Sequence, residues 1–166
     1  DPAAKYVAAS ATSVAVKRLA ISAASGTSDS IVSIAPTPSG TENDNANISS
    51  IVFYVDSGSV PGQVDGTDVR LVSTPATFSA DNTKTVFTFS NPIQITQGAA
   101  VNVLVVYNLG AGATNAATLI QTIAVVGDAV TGSGTAVTKT ATASAAITID
   151  NAPTVSSALA RQPSFS

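Results

Sequence analysis

Apolar and polar residues alternate with period two along most of the chain, the pattern of strands with one buried face. Ser13–Ser22 (SVAVKRLAIS) begins with Val14 and Val16 on one side. Asp29–Ala35 (DSIVSIA) follows a turn-like SGTSD. Ile48–Val55 (ISSIVFYV) is almost wholly apolar, which predicts a central strand. VRLVST from Val69 is expected to pair back against it. KTVFTFS from Lys84 places Phe87 and Phe89 on one face, and the short NPIQIT from Asn91 turns Ile93 and Ile95 inward. The strongest pattern is AAVNVLVVYNL from Ala99, where Val101, Val103, Val105 and Tyr107 share a side. ATLIQTIAVV from Ala117, TAVTKTATAS from Thr135 and AAITID from Ala145 complete the set.

Turn chemistry separates these runs. Residues 36–47 (PTPSGTENDNAN) read as a long polar loop, and Ser79–Thr83 (SADNT) as a tight turn with Asn82 at positive φ. TQGA, NLGAGATNA and VTGSGT place glycine where a strand must stop. Nine to eleven strands at this spacing predict one all-β domain, a single antiparallel β-sandwich of immunoglobulin-like or jelly-roll type. The expected division is an extended N-terminal segment over 1–12, the sandwich over 13–150, and a linker or docking segment over 151–166.

Composition narrows the chemistry. Only 10% of the 166 residues are charged, against about 25% in ordinary soluble domains. Ser and Thr make up about a quarter of the chain, and His, Cys, Met and Trp are absent. Without His and Cys the commonest general base, the thiolate nucleophile and the zinc clusters are missing. No Ser–His pairing is available for acyl transfer, so the expectation is a protein that is not an enzyme. The formal net charge of −3 argues against nucleic acid as a partner. No apolar run reaches the 18 residues of a membrane-spanning helix.

In a chain so poor in charge, the 20 residues from Phe53 to Val72 (FYVDSGSVPGQVDGTDVRLV) hold three of the ten acidic residues. Asp56, Asp65 and Asp68 stand among Gly58, Gly62 and Gly66, which allow tight folding. Carboxylates mixed with carbonyl and hydroxyl oxygens are the ligand chemistry of calcium, and the same residues are common in plain solvated turns. Glu42 and Asp44, in TENDNAN with Asn43 and Asn45, form a second acidic group, read as a second cation site or, the favoured expectation, a plain flexible loop. Asn47 begins an Asn-Ile-Ser sequon, a candidate glycosylation site.

The stretch ISSIVFYVDSGSVPGQVDGTDVRLVSTPATFS, followed by NPIQITQGAAVNVLVVYNLG, resembles a module of bacterial and archaeal extracellular proteins. These are immunoglobulin-like or jelly-roll-like domains of surface-layer, adhesive or fibre-forming proteins. The resemblance covers about residues 48–110. Its elements are a strand ending in Tyr-x-Asp, a turn-rich loop, Asp-x-x-Asp, and a return strand. It implies a secreted β-sandwich, with calcium held by Asp56, Asp65 and Asp68. Gly58, Val60 and Pro61 depart from the Asn- and Asp-rich loop interior of such modules.

The functional expectation is a secreted structural subunit of a cell-surface filament, tube or layer. Its partners would be copies of itself, joined head to tail by strand donation. Tyr6 and Val7, the only bulky apolar residues before Val14, are the candidate assembly anchor. The alternative is an adhesive or carbohydrate-binding module of a larger surface protein, with a glycan as ligand.

Overall fold

A computed structural model describes residues 2–22, 28–123, 129–131 and 142–151. The expected turn after Thr131, most of the strand from Thr135, and residues 152–166 lie outside the described residues. What is described is all-β, with several sheets in a sandwich-like arrangement that closes into no barrel. No helix among the described residues is long and apolar enough to cross a membrane.

The strands are β1 (Lys5–Val7), β2 (Val14–Ser22), β3 (Asp29–Ile34), β4 (Thr37–Gly40), β5 (Ile48–Val55), β6 (Val69–Leu71), β7 (Ser73–Thr74), β8 (Phe87–Ile95), β9 (Ala100–Leu109), β10 (Thr118–Ile123), β11 (Ala129–Thr131), β12 (Thr142–Ala143) and β13 (Ile147–Ile149). One helical turn, α1 (Asp44–Asn47), precedes β5. The first sheet runs β2-β9-β5-β6 and the second β11-β3-β8-β7. The third runs β1-β13-β10-β12, with β4 on the other side of β10. Every pairing is antiparallel except β1 with β13, which is parallel.

One buried cluster draws on all three sheets, so they share a core. Leu19, Phe53, Val103, Val105 and Tyr107 come from the first, Ile31, Phe87 and Phe89 from the second, Leu119, Ile147 and Ile149 from the third. Phe53 bridges layers: its ring lies 5.3 Å from both Phe87 and Phe89. Phe78 continues the stack edge-on to Phe87 and Tyr107. Such aromatic pairs add about 0.5–1.5 kcal/mol each beyond area burial.

β9 is apolar on both faces because both are covered. Val103, Val105 and Tyr107 enter the main core, while Leu104 and Val106 join Ala15 and Val52 in a smaller cluster on the opposite face. Lys17 is also fully covered. It follows the register shift between Ala15 and Lys17 in the β2–β9 ladder, and burial lowers its pKa.

Two prolines correct the sequence reading. Residues 36–47 are not one loop: Thr37–Gly40 form β4, whose Pro38 is tolerated because, among the described residues, β4 pairs only with β10. KTVFTFS and NPIQIT are not two strands but the single β8. Its Pro92 falls where the β3–β8 register shifts, between the Ile31–Ile93 and Ser33–Thr88 pairs.

Residues 1–12 are read from the sequence as an extended segment and candidate donor strand. Within them β1 lies beside β13, in the register Lys5–Ile147, Tyr6–Thr148 and Val7–Ile149. Val7, Ala9 and Ala11 then pack in alternation against the main core.

Candidate functional site

The 56–68 loop leaves β5 and folds back over the outer face of the first sheet, where Val64 packs on the small apolar cluster. Asp56 is buried beneath it, its side chain 1% exposed. Asp56 Oδ2 is ion-paired with Arg18 Nε of β2 and accepts the Gly62 N–H at 3.2 Å. Asp56 Oδ1 is buried with no hydrogen-bond partner among the described residues.

Asp65 and Asp68 act locally. Asp65 accepts from the Thr67 hydroxyl at 2.7 Å, the Thr67 N–H at 2.9 Å and the Val60 N–H at 3.2 Å. The Thr67 hydrogen bonds, side chain first, hold its pKa below the usual value. Asp68 accepts from the Ser57 N–H at 3.2 Å and the Asp65 N–H at 2.9 Å. Gly58 leaves room for this carboxylate, since a Cβ would sit 2.2 Å from Asp65 Oδ2.

The calcium that the resemblance implies would compete for these carboxylates with donors already in place. N–H groups, a hydroxyl and a guanidinium face their oxygens, with Asp56 Oδ1 the exception. Among the described residues no three His, Cys, Asp or Glu gather as metal ligands. The loop is closed by its own hydrogen bonds and by Arg18.

The second acidic group is neither loose nor solvated. Glu42 and Asp44 are 2% and 1% exposed. Glu42 accepts from the Thr114 N–H at 2.6 Å, the Asn47 side-chain amide at 2.7 Å, the Asn43 N–H at 2.9 Å and the Thr114 hydroxyl at 3.3 Å. Asn43 caps α1 by accepting the Ala46 N–H. Asp44 lies under the 79–85 turn: its N–H donates to Asp81 Oδ1 at 3.1 Å, and the Asn82 N–H donates to Asp44 Oδ2 at 3.4 Å. Asn82 takes the expected positive φ, 48°. Burial, then the charge and hydrogen bond of Asp81 and the charge of Glu42, raise the Asp44 pKa to about 7 against the opposing Asn82 hydrogen bond.

Asn47 belongs to this network. The side-chain nitrogen that a glycan would occupy donates to Glu42, and Asn47 Oδ1 is close enough to Gly112 that a Cβ there would lie 2.9 Å away. A glycan would have to share this part-buried nitrogen with the hydrogen bond to Glu42. The sequence reading missed Glu42 and Thr114 as partners because they are 72 residues apart. The available signal was a carboxylate beside an N-cap motif in a chain with almost no charge.

Tyr6 and Val7 differ in role. Tyr6 is 75% exposed, whereas Val7 is half-buried on the core and its carbonyl accepts the Asp150 N–H at 2.8 Å. The Ala9 N–H donates to Asn151 Oδ1 at 2.7 Å. Beside this segment a cleft of about 420 Å³ opens between Pro2–Lys5 and Pro61–Val64, floored by Ala15. No aromatic ring lines it.

Comparison with protein families, curated proteins and solved structures gives no match.

Proposed function

We propose that the chain is a secreted structural subunit of a cell-surface filament, tube or layer, and that copies join head to tail by addition of the N-terminal strand. The observation that carries this reading is the manner in which β1 is held. It joins β13 mainly through main-chain pairing, and only small side chains, Val7, Ala9 and Ala11, enter the core. Contacts of this kind transfer between identical chains without loss, because the main chain supplies most of the binding and alternate side chains supply the register. A surface dominated by Ser, Thr and Ala supports the same reading, since close subunit packing there desolvates few charges.

Electron microscopy of the purified chain is the test. Concentration-dependent filaments, tubes or sheets are expected. Deleting residues 1–12 should abolish them and weaken the fold, and a synthetic peptide of residues 1–12 should restore stability to the truncated chain. Normal polymers from the truncated chain would overturn the donor assignment.

The cleft beside Lys5 and Gln63 favours the second reading, an adhesive or carbohydrate-binding module. Its lack of an aromatic platform weighs against a sugar ligand. Glycan-array binding by a chain that stays monomeric would select this reading.

A further inference from the structure

The link between β1 and β2 is short and strained. The Ala11 N–H donates to the Ala8 carbonyl at 3.2 Å, closing a tight turn. Ser10 within it has φ 62°, and Ser13 just beyond has φ 56°. Both occupy the left-handed region, which disfavours every residue with a Cβ. After the turn the chain already runs along β9. The Ser10 N–H donates to the Gly110 carbonyl, the Leu109 N–H donates to the Ala11 carbonyl, and Val14 opens the β2–β9 ladder opposite Tyr107.

Before the turn the hold is short. β1 is three residues long, its largest side chain is exposed, and beyond the Val7–Ile149 pair it is held by the Asp150 N–H on the Val7 carbonyl and the Ala9 N–H on Asn151 Oδ1.

We propose that the Ala8–Ala11 turn is a hinge, and that on opening it β1 leaves its own β13 and pairs with the β13 of a second copy. This rests on the strand-addition reading and specifies its partner and its moving part. Exchange keeps the β1–β13 contacts, now between chains, while Ser10 relaxes to an extended conformation. Opening the turn makes residues 2–9 a continuation of β2. Eight residues at about 3.3 Å each reach about 26 Å, enough to cross to a neighbouring subunit.

The chain has no Cys, so introduced cysteines report pairing directly. Tyr6→Cys and Thr148→Cys fall on paired positions of neighbouring strands, within reach of a disulfide. The two single variants, one carrying a size tag, are mixed under assembling conditions and oxidised. A mixed inter-chain disulfide is expected. If the bond forms only within one chain of the double variant, and never between chains, exchange is overturned.

Ser10 supplies the second readout. Ser10→Gly relieves the closed turn and should lower the inter-chain fraction about fivefold. Ser10→Pro fixes φ near −65° and cannot close the turn, so the fraction should rise. No change in either variant would rule out the hinge. Filaments without inter-chain bonds would overturn the hinge and leave the filament reading standing. Inter-chain bonds in closed dimers alone would uphold the hinge and overturn head-to-tail assembly.

Discussion

The Asp44 N–H donates to Asp81 Oδ1 at 3.1 Å, tying the helical turn before β5 to the 79–85 turn through two acidic residues. The Asp44 carboxyl is buried beside the Asp81 charge, so it keeps its proton up to about pH 7. Its folded pKa therefore lies above the unfolded value of 3.8. The contribution is fully present below 3.8 and is lost as pH rises to about 7. At about 1.4 kcal/mol per pH unit, that window sets a ceiling of about 4 kcal/mol. Melting temperature should fall between pH 5 and pH 8, and Asp44→Asn, which cannot ionise, should flatten the profile. A wild-type melting temperature equal at both pH values would refute this.

Arg18 and Asp56 give a second prediction. Arg18→Met removes the countercharge from a carboxylate that is 1% exposed. Breaking a fully buried pair costs about 3–5 kcal/mol. Arg18 is 29% exposed, so water screens part of the pair and a loss of about 1–3 kcal/mol is expected. Adding Asp56→Asn should recover part of that loss, because the stranded charge is gone. Denaturant unfolding of the single and double variants measures both terms. Calcium and chelator should leave the wild-type midpoint unchanged, and a calcium-dependent rise would reverse the reading of this loop.

Gly58 and Gly66 lie in the same loop and should respond differently to alanine. A Cβ at Gly58 meets the Asp65 carboxylate, which is held by Thr67 and Val60, while a Cβ at Gly66 meets nothing within 4 Å. Gly58→Ala should cost about 1–3 kcal/mol, the usual range for forced overpacking, and Gly66→Ala should be near neutral. The clash is specific to Asp65, so Gly58→Ala should cost less in an Asp65→Ala background. Equal costs in both backgrounds would place the strain elsewhere.

The sheet was legible where one residue pattern had one outcome. Val103, Val105 and Tyr107 fall on the predicted face, and Phe87 and Phe89 meet the core together. Ile48–Val55 is an internal strand with the predicted bounds. Long-range pairing was not legible. Residues 36–47 read as one loop and KTVFTFS and NPIQIT as two strands, yet an edge strand holds Pro38 and a register shift holds Pro92 inside one strand. Glu42 and Asp44 read as solvated because their partners, Thr114, Asp81 and Asn82, are far away in sequence. The turn-rich character of residues 56–68 was legible in their Asp and Gly content, and they connect β5 to β6. Their carboxylates left calcium ligation and plain turn chemistry both open, and the Arg18 contact was not legible because Arg18 lies 38 residues upstream of Asp56.

The three tyrosines have a practical consequence in a chain without Trp. Tyr6 stands on the N-terminal strand and is exposed, whereas Tyr107 is sealed in the core with its hydroxyl donating to Gln121. Tyr54 is half-buried on the outer face of the first sheet. Intrinsic emission therefore comes from three different environments in one molecule: an exposed strand, the core and the outer face of a sheet. Replacing Tyr6 or Tyr54 with Phe assigns the signal, so release of the N-terminal arm and melting of the interior can be followed as distinct optical events without any attached dye.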